Sequence, residues 1–280
     1  MNIREVMEKK NRLRDFLGGL DSLLVAFSGG VDSAYLLSEA RQVLGKKVVA
    51  VTASSSIHPH RELEEAVQFA ESIGVDHVVF SSEEMDLVEF LLNGSDRCYH
   101  CKKALSKKLL AIAEERGMVH VAHGANMDDL GDFRPGFKAA KEAGMIAPLI
   151  EAGLGKSEIR FLAKEMGLNQ WDKPAMACLA SRIPYGNPIT VRALQMVDRA
   201  EEFLRNAGFE EVRVRHHGSV ARIEVAPQRI KEIQEEPVKS DLIRTFRKIG
   251  FEHIALDLEG YEQGKMNREL IETTSDSGSD

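Results

Sequence analysis

Continuous apolar runs recur through the first part of the chain, and segments with apolar residues three and four apart alternate with them. Ser22 to Phe27 (SLLVAF), KKVVAVTAS, DHVVFSS and MVHVAHG are such runs, and MIAPLI is a short fifth. Brief apolar runs bounded by turn signals read as strands covered on both faces. Between them, SAYLLSEARQVLG and HRELEEAVQFAESIG carry helical spacing and stop at glycines, the second at Gly74. A helical region extends from about Asp86 to Arg116, FKAAKEAG is helix-like, and Leu154 to Gly167 forms one more helix. Strands alternating with helices of this length predict βαβ units and a parallel sheet.

The periodicity changes near Pro174. KPAMACLASRIPYGNPIT holds three of the eight prolines and reads as a structured loop leaving the first domain. Beyond it lie a helix from Val191 to Ala207, two alternating strands (EVRVRHH and ARIEVAP) joined at Gly218–Ser219, a helical region from Arg229 to Ile249, and HIALDLEG. These predict a small α+β unit with a hairpin at its centre. The expected division is an α/β parallel-sheet domain over 1–180, a smaller α+β domain over 181–270, and a polar, acidic, disordered tail over 271–280.

Composition narrows the class. The chain has 280 residues, 43% hydrophobic and 29% charged, as in soluble globular proteins. No apolar run approaches the roughly 18 residues of a membrane helix. The N-terminal segment is amphipathic and mixed in charge, unlike a signal peptide. The expectation is a cytoplasmic enzyme. A net charge of −7 argues against extended binding to tRNA or DNA, which demands a surplus of Lys and Arg.

FSGGVDSAYLL, Phe27 to Leu37, carries the first chemistry. Glycines between a strand and a helix let backbone approach an anion, and the helix N-terminus supplies N–H groups and a favourable dipole. Ser28 and Ser33 add hydroxyls around Gly29 and Gly30. No lysine follows the glycines, so this is not a Walker loop, and the glycine spacing is not that of a dinucleotide fold. Asp32 beside a phosphate calls for a cation, and Mg²⁺ bridging it to pyrophosphate resolves the repulsion. Simple helix capping is the competing role for Asp32.

SGGVDS in this position resembles the PP-loop of ATP pyrophosphatases, enzymes of the adenine nucleotide alpha hydrolase-like fold that adenylylate a substrate and release pyrophosphate. HGANMDDLGDFRPG (His123 to Gly136) and PAMACLASRIPYG (Pro174 to Gly186) resemble the LarE family. That resemblance covers most of residues 20–225. It implies an ATP- and Mg²⁺-dependent sulfur transferase acting on a carboxylate of a pyridinium mononucleotide, pyridinium-3,5-biscarboxylic acid mononucleotide. The product is a thiocarboxylate on the way to the nickel-pincer nucleotide of lactate racemase. It further implies a sulfide source as partner and a homo-oligomeric assembly.

Three cysteines, Cys98, Cys101 and Cys178, speak against a disulfide framework. Many LarE proteins carry one cysteine, matching Cys178, which gives up its own sulfur. This chain departs from them through RCYHCKK. Three thiolates suit a [4Fe–4S] cluster with one open iron, which we prefer, ahead of a sacrificial Cys178 and of zinc. A tRNA thiolase shares the loop and the cysteines, but needs a basic face. His100, between the paired cysteines, points away from both on a helix and reads as solvated or capping.

Ser181, Arg182, Arg213 and Arg215 are candidate grips for the substrate phosphate, since a guanidinium donates two parallel hydrogen bonds. Arg213 and Arg215 share one face of a strand. Ser54 sits at the carboxyl edge of the sheet, where ligands bind in such folds, and Ala26 and Gly124 offer backbone to adenine or ribose. Asp128 and Asp129 could assist Mg²⁺, bind substrate or cap the next turn, with capping ranked first for Asp128. The resemblance implies a second-metal role for Glu201 and Glu224, but they read first as solvated surface carboxylates.

Overall fold

A computed structural model describes residues 1–131, 135–174, 177–262 and 265; the tail expected over 271–280 lies outside them. The chain divides into two compact units. The first contains Met1–Leu87 and Asp96–Met176, and the second contains Val88–Ser95 and the chain from Ala177 onward. No helix among the described residues is long and apolar enough to cross a membrane.

The first unit opens with helix α1 (Ile3–Gly18), then β1 (Leu23–Ala26), α2 (Val31–Leu44), β2 (Val48–Ser54), α3 (His60–Ser72) and β3 (Asp76–Ser81). A single turn, α4 (Val88–Leu91), belongs to the second unit. Then come α5 (Arg97–Glu115), β4 (His120–His123), α6 (Pro135–Glu142), α7 (Pro148–Glu151) and α8 (Lys156–Glu165). The four strands are parallel in the order β3-β2-β1-β4, with Leu23 opposite both Val48 and His120. Side chains alternate across the pleat. Leu23 and Val25 therefore join a core with Val6, Leu17, Leu37 and Leu162 from α1, α2 and α8. Leu24 and Val49 face the opposite core with Leu109 and Ile112 of α5. Both faces are covered, which is why the strand sequences are continuous apolar runs.

A wholly buried carboxylate ties α1 to α2. Glu39 accepts from Arg14 at 2.8 Å and from the Tyr35 hydroxyl at 3.2 Å, and lies 3.3 Å from the Lys10 ammonium. Burial with this carboxylate beside it pushes the Tyr35 phenol up, so the hydroxyl stays a donor.

Two expectations for this part of the chain are corrected. MIAPLI is not a strand. Ile146 makes a single bridge to Ala122, and Pro148 then opens α7. Proline has no N–H to extend a ladder, while its fixed φ suits the first helical position. The helix expected from Asp86 to Arg116 is also broken. Asn93 takes a left-handed φ of 58°, which asparagine tolerates better than other side-chain-bearing residues. Its buried amide donates to the carbonyls of Ile183, Pro184 and Asn187 at 3.3, 2.7 and 2.8 Å.

In the second unit, α9 (Val191–Asn206) is capped by Thr190, whose hydroxyl accepts from the Ala193 N–H at 3.1 Å. Strands β5 (Val212–His217) and β6 (Val220–Val225) form the expected antiparallel hairpin. After α10 (Val238–Ile249), β7 (His253–Leu256) pairs parallel with β6. The region from Arg229 is not one helix: two 3₁₀ turns precede α10. Pro237 stands immediately before α10, where its ring blocks continuation from the preceding turn. Leu204, Val214, Ile223, Phe246 and Phe251 form the core of this unit.

Candidate functional site

The loop after β1 is wired by its own hydroxyls. Ser28 and Ser33 place their oxygens 3.2 Å apart, and Ser33 Oγ donates to the Gly30 carbonyl at 3.1 Å. Gly29 lies at φ +75°, a conformation that a side chain would strain, with Ala66 3.4 Å from where its Cβ would stand. Gly30 is extended, and α2 starts at Val31 with no side-chain cap on its first turn. An uncapped 14-residue helix behind a glycine turn suits an anion. Opposite it, a Cβ on Gly124 would come within 2.9 Å of the Ser33 nitrogen. The backbone after β4 therefore lies directly against the first turn of α2. Ala26 ends β1, and Ser54 ends β2 at the same edge.

Asp32 is not the cap of α2. Its Oδ2 accepts from the Lys156 ammonium at 2.5 Å, while Oδ1 is buried and has no hydrogen-bond partner among the described residues. Burial raises its pKa, outweighing the lowering by Lys156, and neighbouring Asp129 raises it further. An orphaned carboxylate oxygen with a second acid nearby fits a hard divalent cation, so Asp32 is the residue that would hold Mg²⁺.

Two lysines at this loop were missed from sequence. Lys156 is the first residue of α8, at a separation of 124 positions from Asp32. The cation absent from the loop motif thus arrives through tertiary structure. Lys173 pairs with Glu65 at 2.6 Å and reaches the Gly29 carbonyl at 3.5 Å. No local sequence signal connects Lys156 with the loop, 124 positions away. Asp128 is a cap, as expected, but of α8: its Oδ2 accepts from the Lys156 N–H at 2.6 Å.

His123, at the end of β4, is buried and has its pKa lowered to about 4 by burial, with Lys102 adding to the effect. Burial also lowers His58, His77 and His216. An unfolded histidine titrates near 6.5 and takes up a proton that these folded residues refuse. Stability is therefore expected to fall as pH drops from about 6.5 to about 4, with His123 alone contributing up to about 3 kcal/mol over that window. Urea midpoints at pH 7 and pH 5 check this, and His123→Gln should flatten the difference.

Cys98 and Cys101 lie on the first two turns of α5, one exposed and one half-buried; Cys178 is half-buried, and none forms a disulfide. Residues three apart share a helix face. His100 pairs with Asp96 at 3.0 Å instead of joining the cysteines. Among the described residues, no group of three or more His, Cys, Asp or Glu side chains stands ready to hold a metal ion.

In the second unit, Arg182 makes a paired contact with Glu201 at 2.8 and 2.9 Å. Its remaining nitrogen donates to the carbonyls of Ala177 and Cys178 and to Ser181 Oγ at 2.6, 3.1 and 3.0 Å. Arg215 is bidentate on Glu224 at 3.0 and 2.6 Å and donates to the Ser181 carbonyl at 3.0 Å. The turn carrying Cys178 is therefore held by two arginines. Arg213 donates to the Val212 carbonyl at 2.7 Å and stacks 4.9 Å above the Tyr261 ring. Glu201 and Glu224 are both 0% exposed, which corrects their reading as surface carboxylates.

A family model for asparagine synthase matches residues 19–101, the stretch holding the loop. A Synechocystis sp. protein of unassigned function is 45% identical over 94% of this chain and 98% of its own length. Pyridinium-3,5-bisthiocarboxylic acid mononucleotide synthase of Lactiplantibacillus plantarum is 38% identical over 94% of this chain and 95% of its own. The chain belongs to the LarE family. It is accordingly an enzyme, a sulfur transferase of the PP-loop type that uses ATP. Outside the LarE family, argininosuccinate synthase of Haloarcula marismortui is 32% identical over 54% of this chain and 38% of its own length.

Proposed function

We propose that this LarE protein adenylylates a carboxylate of pyridinium-3,5-biscarboxylic acid mononucleotide and replaces the activated oxygen with sulfur, in the biosynthesis of the nickel-pincer nucleotide. The observation that carries the ATP-dependent step is the loop: an uncapped α2 beside Asp32, whose Oδ1 lacks a partner among the described residues. The substrate carboxylate attacks the α-phosphorus of ATP, the bond to the bridging oxygen breaks, and pyrophosphate leaves. A sulfur nucleophile then adds to the acyl carbon, AMP departs with its oxygen, and a thiocarboxylate remains.

Ala26, Ser28, Gly29, Gly30, Ser33, Ser54 and Gly124 would hold the nucleotide, and Asp32 would hold Mg²⁺. Ser181, Arg182, Arg213 and Arg215 would hold the substrate phosphate, although Arg182 and Arg215 are already paired with Glu201 and Glu224. Burial and the neighbouring Arg182 both lower the pKa of Arg213, and Glu201 opposes them. Cys98, Cys101 and Cys178 would be the ligands of a [4Fe–4S] cluster, which would supply the sulfide. The support for this ligand set is chemical: three thiols, two of them on one helix face, in a sulfur transferase.

Anaerobic purification followed by iron, zinc and sulfide analysis tests the sulfur source. About four irons and four sulfides per chain are expected, lost when all three cysteines become alanine while ATP–pyrophosphate exchange persists. Zinc, or no metal after anaerobic reconstitution, overturns the cluster. Loss of one sulfur from Cys178 after turnover assigns the donor to that side chain instead.

A further inference from the structure

The Asp32–Lys156 pair points to a device at the loop that goes beyond holding ATP. Both partners are fixed by their backbones. Asp32 lies in the first turn of α2, and Lys156 opens α8 with its N–H bound to Asp128 Oδ2 at 2.6 Å. The Lys156 side chain is about one-third exposed and that of Asp32 about one-fifth. A four-carbon stem on an anchored backbone can leave its partner without disturbing the helix. Among the described residues, one carboxylate oxygen of Asp32 is engaged and the other is buried without a partner.

We propose that Lys156 is a resident counter-ion. Its ammonium occupies the cation position at Asp32 in the nucleotide-free enzyme, yields it to Mg²⁺ when ATP arrives, and then binds the departing pyrophosphate. This rests on the reading of the loop as an ATP and Mg²⁺ site. The exchange keeps the half-buried carboxylate compensated in both states. It also means that metal alone competes with an ammonium, whereas metal with ATP does not, because the triphosphate offers that ammonium a new anion. Mg²⁺ and ATP are then loaded together.

Mn²⁺ replaces Mg²⁺ as the probe. Binding of Mn²⁺ to the nucleotide-free protein is read by electron paramagnetic resonance, beside ATP–pyrophosphate exchange. Lys156→Gln is expected to tighten Mn²⁺ binding without nucleotide about tenfold, since the competitor is gone. The same variant is expected to slow pyrophosphate exchange about a hundredfold, through loss of a charge on the leaving group. Lys156→Arg, which keeps the charge, should leave the metal constant within about threefold of wild type. An unchanged metal constant in Lys156→Gln overturns the counter-ion role even if activity falls. Wild-type protein that binds neither Mn²⁺ with ATP nor forms pyrophosphate overturns the loop assignment itself, a result separable from the first because it appears without any substitution.

Discussion

Asp32→Asn is expected to abolish pyrophosphate release, by a thousandfold or more, while leaving the protein at least as stable as wild type. Asparagine keeps the shape and removes the charge. The activity loss follows from the metal: a neutral amide is a poor ligand for Mg²⁺, and losing a thousandfold in rate corresponds to about 4 kcal/mol at the transition state. Stability moves the other way because burial, the largest influence on Asp32, raises its pKa despite Lys156. A carboxyl with a raised pKa pays for its ionisation in the folded state, so the charge at neutral pH is a net burden on folding. Lys156 is exposed enough to be hydrated once the partner is neutral. A melting curve and a pyrophosphate assay on one preparation read both effects. Activity within tenfold of wild type would show that Asp32 does not carry the metal.

Glu201→Ala is expected to have the largest effect on stability, a loss of about 3–5 kcal/mol. Glu201 accepts from Arg182 at two points, from Arg205 at 2.5 Å and from the Val214 N–H at 3.1 Å. Burial alone would raise its pKa, but Arg182, Arg205 and Arg213 hold it below the usual carboxylate range. Removing the carboxylate strands Arg182, only 2% exposed, without its main counter-charge. Replacing both partners, as Arg182→Met with Glu201→Leu, should recover much of the loss, because an apolar pair needs no compensation. Urea unfolding of the three proteins decides it. A single-variant loss below about 1 kcal/mol would mean that water enters and compensates Arg182.

The parallel sheet was legible because buried strands must be apolar on both faces and their connecting helices must be amphipathic. Both constraints write themselves locally, as in Leu23 to Ala26 and in the helix that follows. The anion loop was legible for a similar reason, since glycines and small hydroxyls at a strand–helix junction have few other uses. MIAPLI misled because apolarity marks burial, not pairing, and Pro148 decided the outcome. Glu201 and Glu224 misled because their burial depends on arginines brought beside them by folding: Arg182 from a distant turn, Arg215 from the facing strand. Lys156 was invisible as a loop residue because nothing local connects it to Asp32.

The distance between Asp32 and Lys156 in sequence bears on what is inherited together. The asparagine synthase model covers residues 19–101, so it spans the glycine turn and Asp32 but stops short of α8. The match therefore includes Asp32 and leaves out Lys156, the side chain that neutralises it in this fold. Likeness over the glycine turn alone is silent on the charge that stands beside it.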